Sequence, residues 1–78
     1  LEASPGEQVV EIGPGRGALT QVLLERGYRV EAVELDPALV AHLRQTWPPE
    51  STSLRVHEGD VLQTDLRQWG SARFAGNL

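Results

Sequence analysis

Three glycines, Gly13, Gly15 and Gly17, stand between two segments of different periodicity. Before them runs Gln8-Val9-Val10-Glu11-Ile12, rich in β-branched aliphatics and broken off by Gly13, which reads as a buried strand. After them Leu19, Val22 and Leu23 recur at helical spacing, with Gln21, Glu25 and Arg26 on the other side and Gly27 placed as a C-terminal stop. A strand that turns through glycines directly into a helix has two consequences. The backbone can approach a ligand with no Cβ in the way. The helix presents free N–H groups and the positive end of its dipole to whatever lies above the strand.

The rest of the chain repeats this alternation. Arg29-Val30-Glu31-Ala32-Val33-Glu34 reads as a second strand. Asp36-Pro37 opens a helix, with Asp as N-cap and Pro at the first helical position. Leu39, Val40, Leu43 and Trp47 fall on one face of that helix, and Pro48-Pro49 ends it. Leu54-Arg55-Val56-His57 alternates as a third strand, Gly59-Asp60 turns the chain, and residues 62–69 form a short helical or irregular connection. Gly70-Ser71 breaks it, and Arg73-Phe74-Ala75 begins a fourth strand. Strands alternating with helices predict an α/β fold with a mainly parallel sheet, in the order 3-2-1-4, flanked by helices. The switch point falls between strands 1 and 4, and a ligand is expected over the carboxyl ends of the strands there. The loops at 13–17, 34–36, 59–60 and 76–77 all fall at such ends.

Composition removes several alternatives. The 78 residues include no Cys, so there is no disulfide framework and no thiolate metal site. His42 and His57 have no Cys or His partners at ligand spacing and read as structural, so no metal is expected. No apolar run is long enough to span a membrane, and there is no signal-peptide pattern. Seven basic residues, all Arg, against 11 acidic ones give a net charge of −4, which argues against gripping a phosphate backbone by bulk charge. The absence of Met predicts a processed, truncated or partial chain.

Four positions around the glycine loop are chemically suggestive. Gly13, Gly15 and Ala18 satisfy the G-x-G-x-x-A dinucleotide fingerprint, and Glu34 follows at about the ~20-residue distance of a ribose-binding acid. A nicotinamide dinucleotide and another adenosine-containing ligand both fit that far. Glu11 lies inside an apolar strand, where a carboxylate is costly unless paired. It suits a ligand carrying an amino group better than a pyrophosphate, or it braces a helix or loop. Asp60 can accept from an exocyclic amino group such as that of adenine, and the Val61 N–H can donate to a ring nitrogen; a plain turn Asp is the simpler reading. Trp47 shares the apolar helix face and reads as core, while Trp69 is either core or a base-stacking platform.

These residues carry a resemblance. Val10-Glu11-Ile12-Gly13-Pro14-Gly15-Arg16-Gly17-Ala18-Leu19-Thr20 resembles motif I of the rRNA adenine N6,N6-dimethyltransferases, the KsgA family of class I S-adenosylmethionine-dependent methyltransferases with a Rossmann-like fold. Val33-Glu34-Leu35-Asp36 resembles its second motif, Glu58-Gly59-Asp60-Val61-Leu62 its third, and Gly76-Asn77-Leu78 the opening of its Asn-Leu-Pro-Tyr/Phe motif. The erythromycin-resistance rRNA methylases share much of this pattern, but Gly-Pro-Gly-Arg-Gly and Leu78 lean towards the KsgA side. The resemblance implies S-adenosyl-L-methionine as cofactor, with Gly13, Gly15 and Glu11 at its methionine end, Glu34 on the ribose hydroxyls, and Asp60 and Val61 on the adenine. Asn77 would orient the target adenine amino group beside the sulfonium methyl; it is the implied catalytic residue and is counted among the cofactor-binding residues as well. Residues 1–78 would then be a partial cofactor-binding domain, truncated at both ends, of a cytoplasmic enzyme acting on small-subunit rRNA or a pre-ribosomal particle. Two rival expectations stand beside it: an NAD-type oxidoreductase domain, and an inactive methyltransferase-like binding module.

Overall fold

A computed structural model describes residues 6–70 and 72–76. Asn77 and Leu78 lie outside the described residues. The elements are β1 (Gln8–Ile12), α1 (Ala18–Glu25), β2 (Arg29–Glu34), α2 (Pro37–Thr46), β3 (Leu54–Glu58), two 3-10 turns (Val61–Gln63 and Leu66–Trp69) and β4 (Arg73–Gly76). Each strand is reached by a crossover, so all pair in parallel, in the order β3-β2-β1-β4. The expected topology and switch point are both realised. In register, Glu11 lies between Ala32 and Ala75, and Ile12 between Val33 and Gly76.

The two sheet faces are unequally covered. Leu23 of α1 and Leu43 of α2 close one face, over Val9, Val30, Ala32 and Leu54, with Trp47, Val56 and Ala75 at the margin. On the other face Val10, Ile12 and Val33 are covered by Val61, Trp69 and Ala72 of the 3-10 connection. The uneven pattern of residues 62–69 has its cause here. The segment forms two single turns, each started by an Asp: Asp60 accepts from the Leu62 N–H and Asp65 from the Arg67 N–H. Trp69 is partly buried against this second cluster, with its indole N–H donating to Glu31 Oε1 at 3.2 Å. His57 Nε2 lies 2.6 Å from the same oxygen, and its ring meets the indole edge-on at 5.2 Å between centroids.

The helices differ in how closely their patterns foretold burial. Asp36 caps α2 by accepting from the Ala38 N–H at 2.8 Å, and Val40 and Leu43 are buried as their spacing implied. In α1 the buried stripe is Thr20 and Leu23, while Leu19 and Val22 are each 40% exposed. The apolar spacing of Leu19, Val22 and Leu23 thus misses the buried face by one residue, because the Thr20 hydroxyl finds a partner inside. Gly27 ends α1 in a Schellman arrangement: the Tyr28 N–H donates to the Leu23 carbonyl and the Gly27 N–H to the Leu24 carbonyl.

Candidate functional site

The carboxyl ends of β1, β2 and β3 are tied to one another through main-chain and carboxylate hydrogen bonds. The Gly13 N–H donates to the Val33 carbonyl at 2.9 Å, joining the glycine loop to the end of β2. The Gly59 N–H donates to the Glu34 carbonyl at 2.9 Å, joining the turn after β3 to the same place. The side chain of Glu34 completes the link. Its Oε1 accepts from the Gly15 N–H and its Oε2 from the Asp36 N–H, both at 3.0 Å. Glu34 is only 7% exposed, so it is a fixed part of the loop cluster rather than a solvated strand end. A carboxylate has about four lone-pair sites, and two remain for a ligand.

The glycine loop turns at positive φ, and a Cβ at Gly13 or Gly15 would meet nothing within 4 Å. The space above these two residues is therefore open to a ligand. Gly17 is different. A Cβ there would lie 2.5 Å from the Trp47 ring, so Gly17 lets the end of α2 pack against the start of α1. Trp47 is accordingly structural.

At the switch point a cavity of about 250 Å³ opens between the glycine loop, α1 and β4, lined by Glu11, Gly13, Pro14, Ala18, Leu19 and Gly76. Its β4 wall is bare backbone, since a Cβ at Gly76 would collide with the carbonyl oxygen of Ile12. Glu11, 1% exposed, is the buried carboxylate of this wall, and its Oε1 accepts from the Thr20 hydroxyl. Burial raises the Glu11 pKa above the ordinary carboxylate value, and the Thr20 hydrogen bond partly offsets that rise. Wider clefts lie elsewhere: about 330 Å³ along the outer edge of β3, and about 350 Å³ at the amino ends of β1 and β4. Neither includes the glycine loop, Glu11 or Glu34, so the smaller cavity is the better site.

Glu11, Gly13, Gly15 and Glu34 thus form one connected cluster. Asp60 stands at the end of β3, where its side chain caps a 3-10 turn, and Val61 packs under the second sheet face. Thr20 escaped the sequence reading of the site. Its signal was a hydroxyl placed three residues before the buried Leu23, on the face that meets Glu11. Among the described residues no group of three or more His, Cys, Asp or Glu is placed to hold a metal ion. Among them, too, no helix is long and apolar enough to cross a membrane.

Comparison with known proteins places this geometry. A family model described as ribosomal RNA adenine dimethylase matches residues 1–77. Among similar curated proteins, a ribosomal RNA small subunit methyltransferase A of Thiobacillus denitrificans is 54% identical over 79 residues, covering the whole chain and 30% of the relative. One of Thermosynechococcus vestitus is 46% identical over 77 residues, covering 99% of the chain and 28% of the relative. The chain therefore spans less than a third of the length of these relatives. Among solved structures, a dimethyladenosine transferase of Plasmodium falciparum superposes with a TM-score of 0.79 at 26% identity, over 96% of this chain and 27% of that one. A TehB-like SAM-dependent methyltransferase of Corynebacterium glutamicum superposes at 0.69 with 26% identity, over 82% and 33%. With its glycine loop, clasping Glu34 and a family match over residues 1–77, this chain belongs to the ribosomal RNA adenine dimethylase family.

Proposed function

We propose that the chain is the cofactor-binding part of a longer, cytoplasmic methyltransferase that uses S-adenosyl-L-methionine to dimethylate adenine N6 in small-subunit rRNA, free or within a pre-ribosomal particle. The observation that carries this reading is the buried Glu11 carboxylate in the switch-point cavity, a few residues from a glycine loop clasped by Glu34. The residues fit the cofactor. Open space above Gly13 and Gly15 admits its methionine end, and Glu11 offers a carboxylate to the ammonium group there. Glu34 keeps acceptor capacity for two ribose hydroxyls, and Asp60 with the Val61 N–H is assigned to the adenine edge on the motif Glu58-Gly59-Asp60-Val61-Leu62 alone. Bound there, S-adenosylmethionine supplies an electrophilic methyl group on a sulfonium. The protein's task is then to position the target amino group in line, a matter of orientation more than of a strong base. Asn77 is assigned that role on the motif Gly76-Asn77-Leu78 alone.

A buried carboxylate beside the loop is a poor neighbour for a pyrophosphate, which weighs against the NAD reading. Titration calorimetry on the whole protein that carries this chain separates the two: S-adenosylhomocysteine binds and NAD does not. The reverse result ends the methyltransferase reading. With unmethylated small-subunit rRNA as substrate, Asn77→Ala keeps cofactor affinity and loses most of the turnover. Absence of turnover in the wild type, with cofactor still bound, favours the inactive binding module instead.

A further inference from the structure

We propose that Thr20 is a positioning residue for cofactor binding: its hydroxyl holds the Glu11 carboxyl group in place at the cavity beside Gly13, ready for a ligand ammonium group. This rests on the S-adenosylmethionine reading above and adds a residue to it. Thr20 is fully buried on α1, where the helix faces β1, while the apolar Leu19 and Val22 beside it are left half exposed. The inward stripe of α1 pairs Leu23 with Thr20. Here the inward position carries a hydroxyl, and that hydroxyl donates to Glu11 Oε1. Glu11 Oε2 has no donor among the described residues, yet no fully buried side-chain oxygen there lacks a partner. Glu11 itself lines the cavity beside Gly13.

The charged form of Glu11 depends on few neighbours. β2 brings Glu34, already engaged by two backbone N–H groups, and β4 brings Arg73, whose guanidinium is taken by Glu7 at 2.6 Å. The only chargeable side chain of α1 is the exposed Glu25, and Arg16 in the glycine loop is exposed. No cation among the described residues compensates Glu11, so among those residues the Thr20 hydroxyl is its one side-chain partner, and an incoming ammonium group is the natural counter-charge.

The test compares wild type, Thr20→Val and Thr20→Ser in the whole protein. S-adenosylhomocysteine is one ligand, and 5′-methylthioadenosine, which lacks the amino-acid end, is the other. Thr20→Val, isosteric but without the hydroxyl, is expected to weaken S-adenosylhomocysteine about tenfold and to leave 5′-methylthioadenosine unchanged. The pH below which S-adenosylhomocysteine affinity falls moves upward, because Glu11 loses the bond that favours its charged form. Thr20→Ser restores wild-type behaviour. Carboxyl NMR of the ligand-free protein reads the same upward shift directly, and Thr20→Ala gives the same contrast should the valine variant not fold. Equal loss of both ligands in the hydroxyl-free variants, or no loss and an unmoved pH profile, overturns the role of Thr20. A wild type that binds no S-adenosylhomocysteine overturns the cofactor reading itself.

Discussion

Glu34 and Glu11 are both buried carboxylates near the glycine loop, yet the backbone treats them oppositely. Glu34 is met by two N–H donors and clasps two loops together. Glu34→Ala leaves the Gly15 and Asp36 N–H groups without that partner. It should cost about 1–3 kcal/mol of stability, read by urea unfolding, and weaken S-adenosylhomocysteine in calorimetry. Glu11 has a single hydroxyl, and burial raises its pKa above the unfolded value. The folded chain then holds that proton more tightly than the unfolded chain does. Stability from this group is fullest at acid pH and declines as pH climbs from the ordinary carboxylate range through the raised value. Glu11→Gln keeps an acceptor for Thr20 and cannot ionise. Its Tm should exceed that of wild type by a few degrees at neutral pH, the gap closing on acidification, while its affinity for S-adenosylhomocysteine falls. A variant with the same pH dependence of Tm as wild type would show that Glu11 does not ionise in this range.

At the level of elements, the helix starts and the loops between them hold the arrangement together. Gly17 sits at φ 95° with the Trp47 ring where its Cβ would be. Gly17→Ala should lose about 2–3 kcal/mol in denaturant unfolding, as the start of α1 and the end of α2 are forced apart. Strands and their order were legible in the sequence because β-branched runs cut by glycines allow few alternatives, and Asp36-Pro37 announces α2 outright. The clustering of Glu11, Gly13, Gly15 and Glu34 was legible for the same reason, since parallel strands put all their carboxyl ends together. Other features were hidden because they depend on partners distant in sequence. The inward turn of Thr20 follows from a carboxylate nine residues earlier. The docking of Trp69 against the sheet draws on Glu31, 38 residues before it. Periodicity counts only neighbours along the chain and cannot register either contact.

The molecule as a whole is acidic, with a net charge of −4, and its sheet is closed by two helices on one face and two short turns on the other. Charge of that sign repels phosphate, so the RNA-gripping surface of our proposal belongs to parts of the protein beyond this chain. The isolated 78-residue chain should transfer no detectable methyl group to small-subunit rRNA, in an assay where the whole protein does. Detectable transfer by the purified chain reverses that division of labour. The clasp of Glu34 also bears on thermodynamics. Because its carboxylate bonds the loops after β1 and β2 to each other through the chain's own N–H groups, an arriving nucleoside meets a preorganised cradle. Less backbone entropy of these loops is then lost on association, which leaves more of the contact energy for affinity. Loosening the clasp would shift the interaction towards induced fit, with slower capture and an ordering penalty at each encounter.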